Sequence, residues 1–179
     1  CFIESDGKGD FYIFLSAASD LNNHTNIFEK TYVDGYHYFY SVWFALVLKP
    51  FVYLPFRLVK FVWLLLNFSL YTHLLFLLSR LEIVKRLPAK HQQVFMLGVF
   101  LFSLRFLLGN IGHSQITILI LWCCIYGLYQ VVHHQPIKGA LLLALGINIK
   151  LLPIVFLPYL LYRGYFKAFG ATLLIYALS

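Results

Sequence analysis

The sequence predicts an all-α protein: a polytopic bundle of transmembrane helices with an extracytoplasmic loop at its N-terminus. Of the 179 residues, 61% are hydrophobic and 12% are charged, whereas soluble domains contain about 45–50% apolar and about 25% charged residues. The apolar residues form long runs, and about 20 such residues cross a hydrocarbon core of about 30 Å. Six of the seven acidic residues lie in the first 34 positions. These observations exclude an ordinary soluble domain.

Residues 1–36 form the predicted extracytoplasmic segment, because polar residues and turn formers dominate it. The run 11–21 within it predicts a short helix, and Asp10 stands at its start, where a carboxylate suits the helix dipole. Asp10 is therefore either a simple N-cap or a functional group. The chain begins at Cys1 and ends inside an apolar run, so we expect a fragment of a longer chain.

Residues 37–179 form the predicted transmembrane region. Its approximate spans are 38–56, 57–79, 94–109, 115–132, 139–162 and the start of another at 168–179. If every run crosses once, the basic loop 80–93 lies outside and the polar segment 110–115 lies inside. If 94–109 is instead re-entrant, 110–115 stays on the outer side with Asp10. The sequence leaves both arrangements open.

The net charge of +7 does not indicate a nucleic-acid partner. The Lys and Arg residues occur singly or in small groups at the ends of apolar runs, as they do at membrane interfaces. Cys123 and Cys124 lie inside an apolar run and are interpreted as small buried hydrophobes. No metal site and no cofactor are expected, since the sequence has no metal-ligand spacing and no phosphate-binding loop.

Polar residues at membrane depth mark the candidate site, because such groups are costly there and tend to face a cavity or a partner. The group comprises Arg105, Lys150 and the polar segment of Asn110, His113, Ser114, Gln115 and Thr117. Each has a simpler interpretation: a snorkelling Arg, an interhelical loop, or a Lys at a helix end. Pro153 follows Lys150 and is expected to interrupt the helix, which favours an anion site at Lys150.

A carboxylate above a cavity lined by cations suggests one chemistry. The carboxylate accepts a proton from a hydroxyl as general base, and the cations stabilise a phosphate leaving group. Together they describe group transfer from a lipid-linked phosphate donor.

Four segments, in matching order, resemble glycosyltransferase family 87, the polyprenol-phosphate-mannose-dependent α-mannosyltransferases of the GT-C superfamily. These are "GDFYIFLSAASDLNNHTNIF" (9–28), "YHYFYSVWFALVLKPFVYLP" (36–55), "NIGHSQIT" (110–117) and "GALLLALGINIKLLPIVFLPYLLYRGYFKA" (139–168). Ser41 and Val42 stand where the family usually has prolines, Ser114 replaces a Gly, and Thr117 replaces an Asn.

The resemblance implies a role for each candidate residue. Asp10 would be the general base of an inverting hexosyl transfer, most simply a mannosyl transfer, to a lipid or glycan acceptor. Lys150, helped by Arg105 or His113, would hold the donor phosphate, and Asn110 and Gln115 would orient the substrate. The partners would be a polyprenyl-phosphate sugar, the acceptor and membrane lipid, with no nucleic acid. A multi-pass protein of the bacterial plasma membrane is expected.

Other interpretations remain open at this stage. Asp6, Asp20 and Asp34 compete with Asp10 for the role of base. A transporter or flippase of an anionic lipid would use the same cations without a carboxylate base. A non-catalytic membrane subunit would use Asp10 as a helix cap and pair Lys150 with an acid of its partner.

Overall fold

The computed structural model describes residues 9–23, 25–32 and 35–178, and Asp6 and Asp34 lie outside these ranges. The described residues are mainly helical, with one isolated bridge between Thr31 and His37. In chain order the α-helices are α1 (Asp10–Asn22), α2 (Val42–Leu48), α3 (Phe56–Ser79), α4 (Glu82–Lys85), α5 (Ala89–His113), α6 (Thr117–Val132), α7 (Pro136–Ile149), α8 (Phe156–Tyr162) and α9 (Phe166–Leu178). Short 3-10 helices at Lys49–Tyr53 and Leu152–Val155 precede α3 and α8.

The two longest helices, α3 and α5, form an antiparallel pair. With 24 and 25 residues, both are long and apolar enough to cross a membrane. Trp63 Nε1 donates a hydrogen bond to the Ser114 carbonyl at 3.1 Å, and the hydroxyls of Tyr71 and Ser103 are 2.7 Å apart. From Trp63 to Tyr71 the chain runs forward along α3, whereas their partners run backward from Ser114 to Ser103 along α5. The start of α3 therefore lies beside the end of α5.

Helices α6 and α7 form a tight hairpin because two glycines lie in their interface. A Cβ atom on Gly139 would lie 2.4 Å from Val131 Cγ2 and 2.6 Å from the Gly127 carbonyl oxygen. No side chain larger than hydrogen fits between the two backbones without a shift. This hairpin returns the chain to the end of the bundle from which α6 began.

The helix predicted over 139–162 is interrupted at Lys150. Helix α7 ends at Ile149, and Lys150 takes an extended conformation with φ −149° and ψ 133°. Pro153 has no N–H to donate to the carbonyl four residues earlier, so the α-helix cannot continue through it. The interruption leaves Lys150 at the end of α7 that faces α1.

Helix α1 packs across the ends of α3 and α5. Phe11 and Phe14 are each 1% exposed, and the Phe11 ring stacks on Trp63 with 4.9 Å between ring centres. Gly9 lies directly against α5, because a Cβ atom there would be 2.6 Å from the His113 carbonyl oxygen. Helix α1 is therefore packed into the core of the bundle.

The bundle has two distinct ends. The Asp10 end contains α1, the start of α3 and the ends of α5 and α7. The basal end contains the loops 80–88, 133–135 and 163–165. Leu81 and His133 line one groove at the basal end, and His134 and Gly164 line one pocket, so these three loops are neighbours.

Two sequence expectations differ from the observed helices. Gly9, not Asp10, occupies the N-cap of α1, and no side chain caps that end, so the interpretation of Asp10 as an N-cap is wrong. The run 38–56 contains α2 and a 3-10 helix of five residues rather than one long helix. Its proline at position 50 opens the 3-10 helix, because proline does not fit the interior of an α-helix.

The run 38–56 also begins and ends near α1. The Tyr40 ring centre is 4.8 Å from that of Phe14, and the Phe56 ring centre is 5.8 Å from that of Tyr12. The run 94–109, by contrast, lies within the continuous helix α5. These positions place the polar segment 110–115 and Asp10 at the same end of the bundle.

Candidate active site

The site is built around Asp10, the first residue of α1. Burial raises the pKa of its carboxyl, while the charges of His113 and Lys150 and a hydrogen bond from the Gln115 side chain lower it. His113 ends α5, Gln115 follows that helix, and Lys150 follows α7. Asp10 thus interacts with three other predicted site residues, which come from two further parts of the chain.

A left-handed turn at Ser114 sets the position of Gln115. Ser114 has φ 52° and ψ 43°, its N–H donates to the Ile111 carbonyl at 3.1 Å, and the Gln115 N–H donates to the Asn110 carbonyl at 2.9 Å. This pair of hydrogen bonds defines a Schellman motif, in which glycine is the favoured residue at the left-handed position.

Two aromatic residues complete the surroundings of the site, and the sequence did not single them out. Lys150 Nζ lies 5.9 Å from the centre of the Tyr40 ring, and Tyr40 also interacts electrostatically with Asp10. Trp63 holds the Ser114 carbonyl, as described above. Because 19% of the chain is aromatic, composition and spacing do not distinguish these two from the other aromatic residues.

Buried polar atoms lie directly behind the Ser114 turn. Asn110 is 5% exposed and Ser114 is 1% exposed. Among the described residues, neither the two side-chain polar atoms of Asn110 nor Ser114 Oγ has a hydrogen-bond partner. Asn110 supports the site through its backbone carbonyl, which accepts the Gln115 N–H.

The structure does not bring Arg105 to this group. Arg105 is exposed on α5, eight residues before His113, which is about 12 Å along a helix axis. Asp20 is engaged elsewhere, because its Oδ1 lies 2.7 Å from Lys30 Nζ. Of the carboxylates that the structure describes near the start of the chain, Asp10 is the one beside His113 and Lys150.

An apolar cavity of about 650 Å³ opens beside the site. It is bounded by Phe11, next to Asp10, and by Ile149, next to Lys150. Its other walls come from α2, α3, α7 and α9, with Phe51 of the first 3-10 helix and Leu119 of α6. An elongated apolar group fits such a space while its polar end meets the charged residues. Within the described ranges, no group of three or more His, Cys, Asp or Glu side chains is placed to hold a metal ion.

Fold and site together define a helical protein with long apolar helices, in which the Asp10 carboxylate interacts with His113 and Lys150 near an apolar cavity. The sequence model of glycosyltransferase family 87 matches residues 38–178. The chain therefore belongs to glycosyltransferase family 87, and this membership implies a glycosyltransferase with a sugar donor and an acceptor. A search of curated proteins finds no match, and a search of solved structures finds none.

The matched range has a consequence for the site. Asn110, His113, Gln115 and Lys150 lie inside it, whereas Asp10 and all of α1 precede it. Helix α1 is joined to the matched region by the packing of Gly9 against the His113 carbonyl and by the aromatic contacts of Phe11 and Phe14.

Proposed function

We propose that this chain transfers a hexosyl group, most simply mannosyl, from a polyprenyl-phosphate sugar to a lipid or glycan acceptor. The observation that carries the proposal is the interaction of Asp10 with His113, Lys150 and Gln115, while the chain neighbours of Asp10 and Lys150 line the apolar cavity. Family membership supplies the class of reaction. The charge pattern and the cavity support a donor that has both a phosphate and a long apolar chain.

In the proposed reaction, the Asp10 carboxylate takes the proton of an acceptor hydroxyl as that oxygen attacks C1 of the sugar. The bond between C1 and the phosphate oxygen breaks, and the configuration at C1 inverts. Lys150 and His113 stabilise the negative charge that develops on the departing polyprenyl phosphate. Gln115 orients the Asp10 carboxylate, and the Tyr40 ring confines the Lys150 ammonium group.

The cavity of about 650 Å³ would accommodate the first part of the polyprenyl chain. Its walls include Trp43, Phe44 and Trp63, and its one amide side chain is that of Asn148. Because the cavity-lining Phe11 and Ile149 are the chain neighbours of Asp10 and Lys150, the phosphate of a donor bound in the cavity would lie near Lys150. Arg105 has no part in this arrangement.

The outer surface supports insertion in a membrane. Phe102 is 85% exposed and Phe106 is 77% exposed, and only 22% and 11% of the apolar windows of α3 and α5 are buried. Soluble monomers rarely expose large contiguous apolar patches. The basal end would face the cytoplasm, since basic loops favour that side, and the Asp10 end would face outward. A multi-pass arrangement in a bacterial plasma membrane would follow.

The test replaces Asp10 by Asn in the protein reconstituted in lipid nanodiscs. With a labelled polyprenyl-phosphate mannose as donor, we expect kcat to fall by about 10²–10⁴-fold, the usual contribution of a general base. Asp20→Asn is the matched control, because Asp20 lies on the same helix but pairs with Lys30. Turnover by Asp10→Asn at the level of the Asp20→Asn control would refute the assignment of the base.

The same preparation separates this proposal from the alternative membrane functions. A flippase would move a labelled anionic lipid between leaflets without forming a glycosidic bond, and Asp10→Asn would leave that movement intact. A non-catalytic subunit would show neither transfer nor movement.

A further inference from the structure

The basal end carries a strong positive charge that the proposed reaction does not use. Seven exposed Lys and Arg residues lie on or next to its three loops: Arg80, Lys85, Arg86, Lys90, Lys138, Arg163 and Lys167. The same end has one carboxylate among the described residues, Glu82, whose Oε1 lies 3.1 Å from Lys85 Nζ. The fold therefore gathers half of the 14 Lys and Arg residues at one end, largely without acidic partners.

Part of this charge surrounds a pocket of about 520 Å³ between the loops 133–135 and 163–165. Its polar lining comes from His134, Tyr165 and Lys167. Its apolar lining includes Val131, Pro136 and Phe166. We call it the basal pocket. It combines groups that bind a phosphate with an apolar wall.

The pocket is formed by two turns whose backbones are fixed. His134 has φ 61° and Gly164 has φ 75°. The chain after each turn is held by a 2.9 Å hydrogen bond, from the Gln135 N–H to the Gln130 carbonyl and from the Tyr165 N–H to the Leu160 carbonyl. Both are Schellman turns. A ligand would meet a preformed site rather than two mobile loops.

The cations at this pocket have no carboxylate partner in the part of the chain that the structure describes. The two ion pairs found there are Lys30–Asp20 and Lys85–Glu82. Arg163 is exposed next to the pocket-lining Gly164, and Lys138 is exposed two residues after Pro136, which lines the pocket at the start of α7. An anion at the pocket would meet Lys167 and Tyr165 in the lining, with Arg163 and Lys138 close to it in the chain.

The surroundings favour a lipid rather than a free ion. Tyr162 is 87% exposed beside the same turn, and Tyr is enriched at the membrane interface; the neighbouring Phe166 is 68% exposed and apolar. Basic pockets between helices on the cytoplasmic side bind anionic headgroups. We propose that the basal pocket binds the phosphate of an anionic phospholipid, with Lys167, His134 and Tyr165 around the phosphate and Phe166 against the glycerol.

This inference uses the membrane orientation proposed above but not the transfer reaction. Its test is a titration of the detergent-solubilised protein with phosphatidylglycerol or phosphatidylcholine, followed by native mass spectrometry. Because no bilayer is present, the result does not depend on orientation. We expect one phosphatidylglycerol to be retained preferentially.

The variants distinguish a site from a general charge effect. Each Lys or Arg near anionic lipid contributes about a factor of five in binding, so Arg163→Gln combined with Lys167→Gln should weaken retention by about 25-fold. The matched control is Arg86→Gln combined with Lys90→Gln, which removes the same charge from the same end but away from the pocket. That control should lose about twofold or less, and Lys167→Arg should retain binding.

Three results would overturn the proposal. Equal losses for the pocket pair and the control pair would show only unspecific electrostatics. Equal retention of phosphatidylcholine would remove the anionic preference, and displacement of the lipid by millimolar inorganic phosphate would indicate a free-phosphate site. Sugar transfer by the pocket variant should persist, so a failure here leaves the proposed reaction untouched.

Discussion

Replacement of Ser114 tests the turn that positions Gln115 beside Asp10. Ser114 is in the left-handed region at φ 52° and is 1% exposed, and its Oγ has no partner among the described residues. A left-handed conformation costs a residue other than glycine about 1–2 kcal/mol. Glycine regains this energy but loses about 0.5–1 kcal/mol through its greater freedom in the unfolded chain. Ser114→Gly should therefore be more stable than Ser114→Ala by about 0.5–1 kcal/mol.

Comparing the two variants removes the effect of the buried hydroxyl, because both lack it, and leaves the backbone effect together with the packing of the alanine methyl group. For a chain of this size, 1 kcal/mol corresponds to about 2–4 °C in Tm, so Ser114→Gly should unfold about 1–4 °C above Ser114→Ala. Tryptophan fluorescence during heating in detergent is a suitable measurement, since Trp63 is bonded to the Ser114 carbonyl. If Ser114→Ala unfolds at or above the temperature of Ser114→Gly, Ser114 is not in a left-handed turn and the placement of Gln115 loses its basis.

Two further predictions concern Asp10. Gly9→Ala should lower both Tm and transfer activity, because the added Cβ would lie 2.6 Å from the His113 carbonyl oxygen. The control Gly98→Ala should be neutral or stabilising, because no atom lies within 4 Å of its added methyl group. Equal effects of the two substitutions would contradict the close packing of α1. The second prediction concerns the pH dependence of kcat/KM. Because Asp10 must be ionised to act as a base and burial raises its pKa, kcat/KM should rise with pH, and the midpoint of that rise should lie above the ordinary pKa of an aspartate. Lys150→Met removes a charge that lowers the Asp10 pKa, so the midpoint should move to higher pH. An unchanged midpoint would show that the Lys150 charge does not act on Asp10.

Several features could be predicted from local sequence. The short helix expected over 11–21 is observed as α1 (Asp10–Asn22), and the interruption expected near Pro153 occurs at Lys150. Family 87 is confirmed by the match over residues 38–178. These features depend on neighbours in the chain or on motif order, so periodicity, proline chemistry and spacing are enough to find them.

Other features depend on contacts between distant residues. The run 38–56 is as apolar as a spanning helix, yet it forms short helices that begin and end near α1, because its prolines break it and its aromatic residues pack on α1. Arg105 and Lys150 are both cations within apolar sequence, but the helix of Arg105 carries it away from Asp10. The sequence alone cannot tell which of these two cations lies near Asp10, because that depends on how the helices that carry them pack against each other.

The sequence by itself determined the helical class, the family, and the crowding of carboxylates near the start of the chain. Composition, run length and motif order are properties of the chain that need no partner contacts. Only the tertiary structure decided that Asp10 meets His113, Gln115 and Lys150 and that the basic loops gather at the opposite end. Those arrangements depend on the antiparallel pairing of α3 with α5, the glycine contacts of α7 and the packing of Gly9, which bring together residues more than 100 positions apart.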